Sequence, residues 1–228
     1  MRRMFGTIAP RYDFVTRAFS LGMDHRWKEG AVASAALPER AVVLDLACGT
    51  GDFACLVSGT SPGATVVALD LTPEMLRLSK ERGVRSAVCG DALALPFTDA
   101  AFDAVFIGYG LRNFPDLRVA LREIRRVTRP GGLLVSLDFF LPCNMLLRHL
   151  YLGWLFAQGA AWGLLLHGRA RTYTYIPDSL RGFMSIPEFA GVLACSGYER
   201  VRAQRYIAGG IGVHWAAKED NPNARVLA

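Results

Sequence analysis

Three aspartates stand at or near the ends of apolar runs: Asp45 inside AVVLDLA, Asp70 closing ATVVALD, and Asp91 after RSAVCG. The first run opens into Cys-Gly-Thr-Gly, which sets Gly49 and Gly51 two residues apart. Glycines in that place let backbone turn with positive φ and approach a ligand closely. A carboxylate at a strand end, such as Asp70, can accept from both hydroxyls of a ribose. Asp91, followed by Ala92, is suited to accept from an adenine amino group. Asp45 could take a hydrogen bond from a cationic amino group or from the loop itself.

Two cofactor classes fit such a loop. Gly49, Gly51 and Ala54 satisfy the G-x-G-x-x-A dinucleotide pattern, with Asp70 at the expected distance. Three features favour S-adenosylmethionine instead. The run Asp45-Leu-Ala-Cys-Gly-Thr-Gly carries an acidic residue inside the strand, which a dinucleotide site does not need. Asp91-Ala-Leu-Ala-Leu-Pro-Phe suits an adenine-binding turn, and the chain closes on a hairpin rather than a second mononucleotide half. Each aspartate alone reads equally well as a helix cap. Three at strand ends do not.

The elements that must position these residues alternate. Short apolar runs at 41–47, 64–70, 85–92, 102–110 and 133–140 read as buried parallel strands. Helical patterns lie between them, notably 73–82, with Pro73 in its first turn, and 116–128, stopped by Pro130-Gly131-Gly132. A helix over 186–198 precedes two strand-like runs, 199–207 and 211–218, joined at Gly209-Gly210. The expected fold is α/β: a doubly wound, Rossmann-like, seven-stranded sheet, mainly parallel, with a C-terminal antiparallel hairpin. One domain over 1–228 is expected, with an N-terminal helical cap (1–37) and an apolar helical lid insert (145–183). Within that insert, Leu150 to Leu166 carries no charge but falls short of the roughly 20 residues of a membrane span. A buried helix pair broken near Gly159 is the expected structure, with a lid for a greasy substrate or a membrane surface as the alternative.

Composition narrows the partners. The net charge is +6, but the 26 basic residues are scattered and lack the stripe with interleaved aromatics that nucleic acid calls for. Arg122, Arg125, Arg126 and Arg129 read as the solvated face of an amphipathic helix. The five cysteines form no C-x-x-C pair and read as small core residues of a reducing compartment. The histidines are dispersed, so no metal is expected. Met1 to Ala9 lacks the apolar stretch of a signal peptide, which points to the cytoplasm.

These segments resemble the class I methyltransferase superfamily, and more closely the UbiE/COQ5 family that C-methylates polyprenyl quinol rings. The likeness rests on YDFVTRAFSLGMDHRW (Tyr12 to Trp27), GYGLRNFPD (108–116), ALREIRRVTRPGG (120–132), YTYIPDSLRGF (173–183) and GGIGVHWAAK (209–218). It departs from the family at Val15-Thr16, where Met-Asn is usual, at Gly108, where serine is common, and at Asp138-Phe139-Phe140, where Glu-Phe-Ser is usual. The resemblance implies cofactor contacts at Thr50, Asp70, Asp91, Ala92 and, through backbone alone, Gly108. Asp45 and Gly49 join them from the superfamily pattern. It implies proton-handling roles for Tyr12 and Arg112. Arginine does not deprotonate near neutrality, so Arg112 is expected to stabilise a developing phenolate. Tyr12 and His25 are the candidate proton acceptors, although a lone histidine reads equally as a helix cap. The expected activity is S-adenosylmethionine-dependent C-methylation of a demethylmenaquinol-like or polyprenyl benzoquinol-like ring. A methyltransferase for another aromatic or lipid metabolite, and a non-catalytic scaffold, are the rivals. A lipophilic quinol is the expected partner, with peripheral contact at the inner face of the membrane and a homodimer left open.

Overall fold

The computed structural model describes residue 6 and residues 9–220; the ends of the cap and tail expected from sequence, including most of Met1 to Ala9, lie outside them. Seven strands form one sheet in the order β3-β2-β1-β4-β5-β7-β6. They are β1 (Val42–Leu46), β2 (Thr65–Asp70), β3 (Ser86–Cys89), β4 (Phe102–Gly108), β5 (Thr128–Phe139), β6 (Tyr198–Tyr206) and β7 (Ile211–Lys218). The first five run parallel, and β7 pairs antiparallel with both β5 and β6. This is the doubly wound sheet with a terminal hairpin that the alternation predicts. Its order reverses between β1 and β4, and that crevice is where such sheets bind ligands.

Helices cover both faces because the central strands, β1, β4 and β5, bury both of their sides. Val43 and Phe106 pack on one face with Phe19 and Trp27, while Leu44 and Val105 pack on the other with Leu121 and Phe189. The first face carries α1 (Tyr12–Phe19), α2 (Asp24–Ala33), α3 (Asp52–Thr60), and later α6 (Met145–His167) and α7 (Tyr175–Arg181). The second carries α5 (Leu117–Val127) and α8 (Ile186–Cys195). The remaining helix, α4 (Pro73–Glu81), packs beside β2 and β3. Asp116 caps α5 by accepting from the backbone of Arg118 and Val119.

Two expectations are corrected. Pro130-Gly131-Gly132 does not lie between a helix and a strand: β5 begins at Thr128, and its pairing with β4 shifts register across this stretch. The apolar insert is not a broken helix pair. The 23-residue α6 runs straight through Gly159 and ends at Gly168, whose φ is 64°. Gly159 and Gly163 serve packing instead. A Cβ at Gly159 would stand 2.9 Å from the Tyr173 carbonyl oxygen, and one at Gly163 2.6 Å from that of Arg169. Among the described residues, no helix is long and apolar enough to cross a membrane. Cysteine burial also differs: Cys48 is buried and Cys55 half-buried, but Cys89, Cys143 and Cys195 are exposed at or beside element ends.

Candidate active site

At the carboxyl ends of β1, β2 and β4 lies a cavity of about 140 Å³. Its polar walls are Gly49, Asp70, Asp91 and Asn113; its apolar walls include Leu71, Met75, Ala92 and Phe114. The loop after β1 reaches it by a tight turn in which Gly51 has φ of 86°. A Cβ there would also meet Val84 at 2.8 Å, so glycine is required twice over.

Asp70 holds the loop and faces the cavity. One carboxylate oxygen accepts from the Gly49 backbone at 2.9 Å and the other from Thr72 at 2.8 Å. Each oxygen retains a lone pair that a ribose hydroxyl can use. Burial pushes its pKa up, and the backbone donors oppose that push. Asp91 is exposed at the rim; it accepts from Leu93 at 2.9 Å, which folds the Asp91–Ala94 turn beside Ala92. At Gly108 backbone forms the wall, and Phe53 stands 3.1 Å from where a Cβ would be. These features fit S-adenosylmethionine: a carboxylate for the ribose, an acceptor and apolar walls for the adenine, and bare backbone beneath the rest.

Asp45 and Thr50 do not line this cavity. Asp45 is buried beneath the loop and accepts from the Ala54 backbone at 2.9 Å, anchoring the start of α3. Burial pushes its pKa up to about 7. The Thr50 hydroxyl donates to Asp13 at 2.6 Å and accepts from Arg82 at 2.9 Å. That pairing belongs to a clamp between the N-terminal helices and α3. Arg82 also meets Asp52 at 2.7 Å, and Lys28 of α2 bonds Asp24 at 3.0 Å and Asp52. Burial pushes Asp52 upward, but Lys28 and Arg82 hold it below the usual carboxylate range.

A second, smaller cavity lies alongside. Tyr12, Val15, Thr16, Phe19, Tyr109, Arg112, Phe139, Tyr175 and Ile176 enclose about 10 Å³, space for about one water. Tyr12 and Tyr109 border both cavities, so they form the partition between cofactor space and this chamber. The Arg112 guanidinium bonds Asp138 at 2.5 Å and the Tyr109 carbonyl at 3.1 Å. Asp138, at the end of β5, also accepts from the backbone of Leu111 and Phe139, each at 2.8 Å. Burial pushes the Asp138 pKa up, Arg112 and the two backbone N–H donors oppose that push, and the three bonds fix the arginine in place.

The structure therefore brings Tyr12 and Arg112 together and leaves His25 out. The His25 imidazole lies exposed on α2, 3.4 Å from Glu29, and lines neither cavity. A surface turn of α2 cannot deliver it to the partition. Burial also raises the Tyr12 pKa, which favours the protonated phenol. Asp138 and Tyr175 escaped the sequence reading as site residues. Asp138 carried the signal that marked Asp70, a carboxylate at the end of a parallel strand.

The ubiE/COQ5 methyltransferase family matches residues 1–218. A demethylmenaquinone methyltransferase of Deinococcus radiodurans is 37% identical over 219 residues, covering 93% of this chain and 91% of the relative. A ubiquinone/menaquinone biosynthesis C-methyltransferase, UbiE, of Syntrophotalea carbinolica is 38% identical, covering 92% of this chain and 90% of the relative. Among solved structures, a SAM-dependent methyltransferase of Thermotoga maritima, described as a possible histamine N-methyltransferase, superposes with a TM-score of 0.67 at 20% identity. It covers 96% of this chain and 100% of its own. The chain belongs to the ubiE/COQ5 methyltransferase family, and its cofactor is S-adenosylmethionine.

Proposed function

We propose that the chain methylates a ring carbon of a lipophilic quinol, a demethylmenaquinol or polyprenyl benzoquinol, in quinone biosynthesis. The observation that carries this reading is the pair of cavities separated only by Tyr12 and Tyr109, with a buried Arg112–Asp138 pair behind the second. Relatives of this length are named for demethylmenaquinone and for ubiquinone/menaquinone biosynthesis.

Asp70, Asp91, Ala92, Gly49 and Gly108 would hold S-adenosylmethionine. Asp45 and Thr50 act behind them, on the loop's anchorage. The bound cofactor supplies an electrophilic methyl on a positive sulfur, which needs no activation by the protein. What the chain must supply is placement and a nucleophilic carbon. A quinol carbon becomes nucleophilic when the neighbouring hydroxyl loses its proton and the charge spreads into the ring. Arg112 lowers the cost of that charge, and Asp138 keeps the guanidinium aimed. Once methylated, the ring carbon would shed its hydrogen as a proton to water, restoring aromaticity, while Arg112 and Asp138 hold the ring oxygen's side of the chamber. Val15 and Thr16, which depart from the family pattern, line the ring chamber, so a differently substituted acceptor would be accommodated there.

A lipophilic acceptor arrives from a membrane, and α6 supplies a surface to meet one. Leu146, Leu150, Phe156, Leu164 and Leu165 are all exposed on it, and the segment 139–177 holds no acidic residue. The reading therefore places the protein at the inner face of an anionic membrane.

Complementation of bacteria blocked at quinone C-methylation tests the function, with accumulated quinones identified by mass spectrometry. Restored menaquinone or ubiquinone is the expected result. Restoration of neither, with the protein expressed and binding S-adenosylhomocysteine, would sink the quinol reading.

A further inference from the structure

Tyr175 begins α7, in the segment that returns from the long apolar helix, and its ring closes the chamber opposite α1. Its hydroxyl is hydrogen-bonded to Arg112. A guanidinium only donates, so in that bond the tyrosine oxygen accepts. Tyr12 enters the chamber from the opposite side, on α1, and is electrostatically coupled to Tyr175 as well as to Arg112. One further donor is present. The Arg112 Nε–H is buried with no hydrogen-bond partner, beside a void of one water's size. Buried polar groups are normally satisfied, so an unmet donor against a small polar void marks the place of a ligand oxygen.

We propose that Tyr175 is a catalytic residue that touches the acceptor, donating its O–H to the ring oxygen that becomes a phenolate while Arg112 and Tyr12 hold the same oxygen. The assignment rests on the reading that the acceptor is a quinol. The donor set suits a phenolate well: two phenols and a guanidinium converge where one oxygen fits, and Phe19, Phe139 and Ile176 supply apolar walls for the ring. Burial raises the Tyr175 pKa, which favours the protonated hydroxyl that can donate. The chamber as it stands admits about one water, so ring entry requires α1 and α7 to part.

The test compares wild type with Tyr175→Phe, which keeps the ring and removes the donor. Affinity for S-adenosylhomocysteine, read by calorimetry, should be unchanged, because Tyr175 does not line the cofactor cavity. The kcat/KM for the quinol should fall about 100-fold, the order seen when one oxyanion donor is lost. The rising limb of the kcat profile, which reports ionisation in the bound complex, should move to higher pH, since the bound phenolate loses a stabilising contact. A purely structural role would lower the rate at all pH values and leave the limb in place, and that result would overturn the proposal. A chromophoric phenol, 4-nitrophenol, gives a readout free of turnover: its pKa when bound should lie lower on wild type than on Tyr175→Phe. Equal bound pKa values would also overturn the proposal. If wild type turns over no quinol yet shifts the nitrophenol through Tyr175, the quinol reading fails and the phenolate site stands.

Discussion

Asp70 does two jobs with one carboxylate, and both follow from its place at the end of β2. It accepts from Gly49 and Thr72, which shapes the loop, and its free lone pairs face the cavity. Asp70→Ala should weaken S-adenosylhomocysteine binding at least 100-fold, since hydrogen bonds to a charged group are worth about 1.5–3 kcal/mol each. Unchanged affinity by calorimetry would refute the ribose assignment. Asp45 lies one strand away but behaves differently. Its pKa, about 7 against an ordinary 3.8, is raised by burial. The fold therefore holds this proton across the gap, and the stability it confers is complete below about pH 4 and lost as pH rises through 7. His214 has the opposite sign. Enclosed by Phe140 and Phe189, it is pushed down to about 4 by burial, so its contribution is present above pH 6.5 and lost as pH falls. Asp45→Asn keeps an acceptor for Ala54 and removes the first slope. Measured by urea unfolding between pH 4 and 7, the stability of the wild type relative to the variant should fall by an amount on the order of a few kcal/mol. The variant lacks that slope while His214 acts alike in both, so parallel pH profiles would remove Asp45 as the cause. The three strand-end aspartates were legible in sequence as a set because strand ends are easy to locate. Which of them faces the ligand was not, since that depends on the turn of Ala47 to Gly51, and the Thr50 hydroxyl was claimed by Asp13 and Arg82 from distant segments.

At the scale of elements, continuous apolar runs and helical spacing were enough to locate the seven strands and most helices, although β5 starts at Thr128, ahead of its run. Val42–Leu46 and Thr65–Asp70 fall inside the runs expected for them, because a strand buried on both faces must be apolar along its whole length. The failure at α6 has a definite cause. Glycine reads as a breaker in sequence, yet in a helix it costs only about 1 kcal/mol relative to alanine, which packing offsets. Gly159 and Gly163 are one turn apart and let the backbone of residues 169–174 lie directly against the helix. This contact is what turns the chain back so that α7 can deliver Tyr175 to Arg112. Gly163→Ala should therefore destabilise the fold by about 1–3 kcal/mol, the usual cost of overpacking. It should also reduce quinol turnover while leaving S-adenosylhomocysteine affinity intact, because the cofactor walls come from β1, β2 and β4. Denaturant melts combined with calorimetry read both quantities. Lost cofactor affinity would mean that the helical layer and the cofactor loop are coupled more tightly than their separate contacts imply. His25 failed for a related reason: its helix was legible, but the face it occupies was not.

On the scale of the whole molecule, the ring chamber and the apolar helix lie on the same side of the sheet, with the cofactor cavity beside them at the strand ends. The helices α1, α2, α6 and α7 all belong to the layer that packs with Phe106 and Val135, and the ring chamber opens between α1 and α7. The outer side of that layer is not finished for water. Leu146 is 69% exposed, Leu150 62% and Leu165 73%, and Phe14 of α1 meets Trp162 of α6 edge-on at the seam between them. Exposed apolar groups in such number mark a contact surface. The flanking charges point to its occupant, since Arg148, Arg169 and Arg171 border the stripe without a single carboxylate between Asp138 and Asp178. An anionic bilayer offers both halves of that complement: acyl chains for the leucines and headgroup charge worth about 1 kcal/mol per arginine. A protein partner would be expected to answer three arginines with carboxylates and to bind in defined stoichiometry. Flotation with vesicles separates the cases. The wild type should partition onto phosphatidylglycerol vesicles more strongly than onto phosphatidylcholine, and the preference should shrink as salt shortens the Debye length. Replacing Leu146, Leu150 and Leu165 together with glutamate should reduce partitioning by at least tenfold, because each leucine contributes roughly 1.5–3 kcal/mol when buried. The same variant should bind S-adenosylhomocysteine normally and should methylate a short-tailed, water-soluble quinol at the wild-type rate while losing activity on vesicle-borne substrate. Equal flotation of variant and wild type would remove the membrane from this face, and equal loss on both substrates would show that the substitutions had damaged the chamber itself.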